Sequence, residues 1–165
     1  MYTNCGATQI KKKDTVNNDL NYLDDLTYFQ DINLTNLEDI VEFLFQNLSD
    51  KDTNVRWASA KALGRITQRL ALDMADDIVE SLFQILNFDC DETHWHGGML
   101  TLAELSRRGL LLPNRLPMAF NYLYKALIYD ENKGNYSAGA NVRDSACYVA
   151  WAFARAYDSE IMKPF

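Results

Sequence analysis

A chain of 165 residues is the length of one ordinary domain, and at 48% hydrophobic and 12% aromatic it can bury a sizeable core, which excludes a disordered polypeptide. Its formal charge of -7 argues against the basic face that nucleic-acid binding needs, and no apolar run approaches the ~20 residues of a membrane span. Met1 is followed by polar residues instead of a signal-peptide core, so a soluble, intracellular chain is expected.

Seven Gly and three Pro are few, and the apolar residues recur at helical spacing, which predicts an all-α fold. Cys5, Cys90 and Cys147 are widely spaced and odd in number, so reduced thiols are expected, with Cys147 a small core residue. Residues 1–33 read as a mostly irregular segment, polar and acidic after the Lys11–Lys13 triplet, in which Leu20, Leu23, Leu26 and Phe29 could dock on the first repeat. The helical segment is 34–165. Thr35-Asn36-Leu37-Glu38 has the form of a capping box, opening a first helix whose stripe is Leu37, Ile40, Val41, Leu44 and Leu48.

An acidic turn with Asp50, Asp52, Thr53 and Asn54 as caps then runs into a second helix. Val55, Ala58, Ser59, Ala62, Leu63, Ile66 and Leu70 share one face of it, which predicts the core side. Asp73, Asp76 and Asp77 suit the positive end of a third helix with Ile78, Leu82, Ile85 and Leu86 as its buried face. NFDCDETHWHGG reads as another turn, followed by a fourth helix through Met99, Leu102, Ala103 and Leu105 that closes on Arg107, Arg108 and a left-handed Gly109. Pro113 and Pro117 bracket the start of a fifth helix carrying Phe120, Leu123, Tyr124 and Leu127. The long connection YDENKGNYSAGA predicts a surface loop, and Asn141-Val142-Arg143-Asp144 a cap for a sixth helix with Ala146, Val149, Ala150 and Phe153.

These hairpins repeat. Aligning Val55 with Trp95 and Val142 superposes the helices behind them, with Ala58, Gly98 and Ser145 three positions on, at periods of about 40 and 47 residues. The prediction is a HEAT/armadillo-type α-solenoid of about three helical hairpins, spanning about 35–71, 72–112 and 113–158, with a further helix starting over 159–165. Leu37, Ile40 and Leu44 precede any partner repeat and Phe165 falls in an incomplete helix, so open ends are expected.

Three strings carry a closer resemblance: DKDTNVRWASAKALGRIT, WHGGMLTLAELSRRGLLLP and YDENKGNYSAGANVRDSACYVAWAFARAYD. In this order they resemble consecutive HEAT repeats of the tubulin-folding cofactor D family. The resemblance implies a cytoplasmic, cytoskeleton-associated chaperone that captures β-tubulin and works with other tubulin cofactors and an Arf-like small GTPase to assemble or dismantle the αβ-tubulin dimer. Members of that family are several times longer. The competing reading is a general HEAT scaffold with a non-tubulin partner.

No catalytic constellation stands out and no cofactor is implied, so a binding protein is expected rather than an enzyme. Cys90-x3-His94-x-His96 is the one cluster resembling a zinc site, but its spacing matches no standard framework. An inter-helix turn in which His96 bonds locally and Trp95 packs is preferred. Arg56 and Arg143, each following a Val at a helix start, are expected to form a ladder with turn acids, with His96 the odd member. Off the core faces lie Trp57, Lys61, Gly64 and Gln68, then Thr101, Glu104 and Arg108, then Asp144, Tyr148, Trp151 and Arg155. That line is expected on the concave side, and Trp57, Lys61, Arg108, Tyr148 and Arg155 are the candidate partner-binding residues.

Overall fold

Among the described residues, helical spacing of apolar residues is realised as six long helices and one short one: α1 (Leu34–Gln46), α2 (Thr53–Thr67), α3 (Leu72–Ile85), α4 (Glu92–Ser106), α5 (Leu116–Leu127), α6 (Ala140–Ala156) and α7 (Ser159–Met162). The computed structural model describes residues 34–86, 90–134 and 136–165. The expectations for residues 1–33 lie outside the described residues. The chain divides into two compact units, Met1–Glu38 and Asp39–Phe165; α1 crosses that boundary, and the core packing is that of the second unit.

Acidic turn residues start two of the helices. Asp52 accepts from the Asn54 amide at 2.8 Å, and Asp91 accepts from the amides of Thr93 and His94 at 3.0 and 3.1 Å, satisfying donors that a helix start leaves free. Gly109 closes α4 at φ +73°, with the Leu110 amide returning to the Leu105 carbonyl at 3.1 Å, the left-handed ending that its position predicts.

Packing centres on α4, which lies against both α2 and α6. Every residue from Trp95 to Ser106 is buried, so α4 has no solvent face of its own. Two glycines allow this. A Cβ on Gly97 would meet the Leu48 carbonyl oxygen at 1.9 Å, and one on Gly98 would meet a Leu86 methyl at 2.3 Å. The 3-10 turn Asn47–Ser49 and the end of α3 therefore press directly on the α4 backbone. On the other side α3 and α5 are tied by Phe83 and Tyr122, whose rings stack at 5.6 Å while the Tyr122 hydroxyl donates to the Phe83 carbonyl at 3.1 Å. Arg115, in the 3-10 turn Pro113–Arg115 before α5, reaches back to Asp76 at 2.7 Å and to Glu80.

Several expectations need correcting. The buried line of α2 is Arg56, Ser59, Ala60, Leu63, Gly64 and Thr67; Ala58 is exposed and Val55, Ala62 and Ile66 are half-buried. Hydrophobicity alone ranks Ala and Val above Arg, Gly and Thr, yet α2 turns its slimmest line to α4 and satisfies the polar groups on it: Thr67 donates to the Leu63 carbonyl at 2.7 Å. α4 begins at Glu92, so the His94 to Gly98 stretch is helix and not turn. α1 begins at Leu34, before the expected cap Thr35, and α6 begins at Ala140 behind Gly139 with no side-chain cap from Asn141.

Of the α1 stripe only Leu48 is buried, while Ile40 is 50% exposed. In α5, Tyr124 and Leu127 are exposed and the buried line is Leu116, Ala119, Phe120, Tyr122, Leu123 and Ala126. Cys147 and Ala150 are exposed because the buried line of α6 runs through Val142, Ser145, Ala146, Val149, Ala152 and Phe153. The long connection is a two-stranded antiparallel hairpin, β1 (Glu131–Lys133) with β2 (Tyr136–Ala138), ending in a buried Ala138. It lies near the start of α4, where Lys133 stands 3.8 Å from Glu92. After α7, Phe165 stacks on Phe120 with ring centres 4.3 Å apart.

Candidate functional site

The face built by the even helices carries a continuous row of side chains. On α2, Trp57 and Lys61 are one turn apart, and the Lys61 ammonium sits 5.1 Å from the Trp57 ring centre. On α6, Tyr148, Trp151 and Arg155 follow at helical spacing, with Tyr148 and Trp151 stacked at 5.7 Å and the Arg155 guanidinium 5.2 Å from Trp151. The halves meet where Trp57 and Tyr148 come to 5.6 Å, tilted by 37°. Three aromatic rings with a cation at each end thus span α2 and α6.

Four of the five candidates share this row, and Trp151, expected on the same line of α6, belongs to it three residues after Tyr148. Arg108 does not share it. Its side chain is only 10% exposed, donates to the Glu104 carbonyl at 2.8 Å and to the Glu104 carboxylate, and lies against Gly64. Thr101 and Glu104, expected on the open face, are also buried because α2 and α6 close over α4. Glu104 is the residue the spacing argument undervalued. Its carboxylate accepts from Arg108, from Arg107 at 3.2 Å and from the Tyr148 hydroxyl at 2.7 Å, fixing the central ring of the row from beneath. A carboxylate four residues before an arginine on one helix is the sequence signal for the first of these bonds.

Arg56 is buried and spends its guanidinium on the carbonyls of Asp50 and Lys51, on Thr53 at 3.0 Å and, through Nε, on His96 Nδ1 at 2.8 Å. Arg143 likewise reaches the Tyr129 carbonyl at 2.6 Å, with Asp130 at 3.7 Å. The expected ladder is therefore built mainly on turn carbonyls, which a guanidinium serves as well as carboxylates. His96 bonds across helices instead of locally. Because Arg56 must donate, Nδ1 is the acceptor and the imidazole proton sits on Nε2.

Burial first, and then the Arg56 charge, lower the His96 pKa to about 4, with Asp144 pulling the other way. The folded value lies below the unfolded one of 6.5, so the unfolded chain binds the extra proton and stability should fall as pH drops from about 6.5 towards 4. An NMR titration of the His96 ring should show the neutral form down to about pH 5.5. A midpoint near the unperturbed value would show that the Arg56 bond is absent in solution.

The Cys90, His94 and His96 side chains go to separate partners: Cys90 Sγ to the Ile85 carbonyl at 3.2 Å, His94 to Asp91 at 2.8 Å and His96 to Arg56. Among the described residues no group of three His, Cys, Asp or Glu side chains is gathered for a metal ion, and no helix is long and apolar enough to cross a membrane.

Comparison with known proteins places these repeats. The family of tubulin-specific chaperone D-like proteins, by its armadillo repeats, matches residues 3–165, which extends the relationship into the segment before α1. The tubulin-specific chaperone D of Dictyostelium discoideum is 50% identical over 125 residues, covering 73% of this chain and 8% of that protein. The tubulin-folding cofactor D of Schizosaccharomyces pombe is 27% identical over 141 residues, covering 77% of this chain and 13% of the relative. The chain thus spans only a small part of the length of these relatives, and no solved structure matches it. With an all-helical run of elements and a family match over nearly its whole length, the chain belongs to the tubulin-specific chaperone D-like family, as a stretch of its armadillo-type α-solenoid.

Proposed function

We propose that this segment contributes to a tubulin chaperone, taking part in β-tubulin capture and in assembly and dismantling of the αβ-tubulin dimer with other tubulin cofactors and an Arf-like small GTPase. It acts by binding and not by catalysis, in the cytoplasm and at the cytoskeleton. The observation that carries the reading is the Lys61, Trp57, Tyr148, Trp151, Arg155 row. Aromatic side chains supply the desolvated contact area that dominates protein interfaces, and cations at both ends of the row suit an acidic partner surface.

The test is capture of purified αβ-tubulin by the immobilised chain. Trp57→Ala or Tyr148→Ala should weaken capture by more than about 1 kcal/mol, roughly fivefold or more, with Lys61→Ala and Arg155→Ala adding a salt-dependent loss. Unchanged capture by variants that have merely lost melting temperature removes the row as the site. Retention of other proteins from lysate without tubulin favours the general scaffold.

A further inference from the structure

The even helices also enclose a trough beside the aromatic row. α2 supplies Thr53 and Trp57, one turn apart; α6 supplies Asn141, Asp144, Ser145 and Tyr148 along one line; α4 supplies His96 and Leu100 as the floor. The hollow measures about 180 Å³. Small-molecule sites usually run to ~300–1,000 Å³, so this one has room for a single side chain and not for a cofactor.

Its chemistry is one-sided. No lysine or arginine lines it. Asp144 is exposed at its edge, and its carboxylate has no hydrogen bond or ion pair with another described residue. Ser145 Oγ spends its proton on the Val142 carbonyl at 2.8 Å and keeps its lone pairs, and the Asn141 amide nitrogen is turned to Glu92 at 3.4 Å. Thr53 Oγ1 already accepts from Arg56. Acceptors therefore outnumber donors, the Nε2–H of His96 being the one donor in the floor. The positive charge behind that floor belongs to Arg56 and is turned away onto the carbonyls of Asp50 and Lys51. The Trp57 ring already holds one cation, Lys61, against its π-system.

A ligand for such a surface needs several donors, a positive charge and a flat apolar face. A guanidinium has five N–H donors in a plane, stacks on aromatic rings and pairs with a carboxylate through two parallel bonds; an ammonium offers only a compact, strongly hydrated charge. We propose that the trough is the socket for one arginine side chain of a partner protein, its guanidinium lying against Trp57 and Tyr148 and pairing with Asp144. The assignment rests on the reading of the even-helix face as a partner surface, and is independent of whether that partner is tubulin.

The test is a titration of the full chain with N-acetyl-arginine amide and with its citrulline counterpart, which keeps the length and loses the charge, following the Trp57 indole N–H and the Asp144 amide by 1H–15N NMR. The arginine probe should shift both resonances saturably and bind about two- to fivefold more tightly than citrulline, the worth of an ion pair at an exposed carboxylate. Asp144→Asn should remove that advantage while the melting temperature stays unchanged, since the side chain is exposed. Equal binding of citrulline, equal binding of N-acetyl-lysine amide, tighter binding of N-acetyl-glutamate amide, or an Asp144→Asn variant that binds arginine as before each overturns the assignment. The titration contains no tubulin, so a failed tubulin capture beside a saturable arginine response refutes the tubulin reading alone. Successful capture beside no arginine response refutes the socket alone.

Discussion

Gly97→Ala should destabilise the chain by about 3 kcal/mol or more, the upper range for overpacking a rigid contact. The sign is the informative part. In an exposed helix interior, alanine for glycine gains about 1 kcal/mol from helix propensity, so a stabilised variant is the default expectation. Here the new methyl would stand 1.9 Å from the Leu48 carbonyl oxygen, 2.7 Å from its carbon and 3.0 Å from its Cα. All three are backbone atoms, so no rotamer change relieves the contact. The turn Asn47–Ser49 would have to lift off α4, and Leu48, 1% exposed, would leave the core with it. Gly98→Ala is the control. Its methyl meets the Leu86 side chain at 2.3 Å, which can rotate, and the loss should be nearer 1–2 kcal/mol. Urea unfolding of the two variants measures both, and a stabilised Gly97→Ala would show that the turn and α4 do not touch in solution.

That contact also marks where the sequence was legible and where it was not. Among the described residues, the order of the helices and the Gly109 ending follow from apolar period and cap chemistry, and the structure contains them. The rotation of α2 does not follow. A buried line of Arg56, Ser59, Gly64 and Thr67 scores as polar, and only the bonds those groups find in three dimensions make it a core face. The start of α4 was hidden because paired glycines and histidines read as turn, although the missing side chains of Gly97 and Gly98 are what let the Asn47–Ser49 turn and Leu86 approach the helix backbone. The hairpin β1–β2 has three residues per strand, too short for a period of two to register. For the row, aligned turns were enough to select Trp57, Lys61, Tyr148 and Arg155. The same alignment misplaced Arg108, since spacing along one helix carries no information about the two helices that close over it.

Glu104→Ala should cost about 3–5 kcal/mol, the usual loss when one partner of a buried ion pair is removed and the other is left behind. Glu104 is 1% exposed and Arg108, held against Gly64, cannot swing freely to water. The Glu104 carbonyl would remain as one acceptor for it, at 2.8 Å. Tyr148 would lose the acceptor of its hydroxyl, so the variant should loosen the Trp57–Tyr148 junction as well as the core, whereas Tyr148→Phe should cost only about 1 kcal/mol. Burial pulls the Glu104 pKa up, but the bonds from Arg108 and Tyr148 and the charges of Arg108 and Arg107 outweigh it and hold the group below the usual carboxylate range. A depressed folded pKa stabilises the chain above the unfolded value, about 4.3, and that contribution is lost as pH falls through the folded value. Glu104→Gln cannot titrate, so its deficit relative to the native chain should be full at neutral pH and shrink with acidification below about pH 4. Chemical unfolding of both variants from neutral to acidic pH is the measurement. A Glu104→Ala loss under about 1 kcal/mol, or a Gln deficit that does not shrink in acid, would mean that Arg108 and Tyr148 are held by packing and not by this carboxylate.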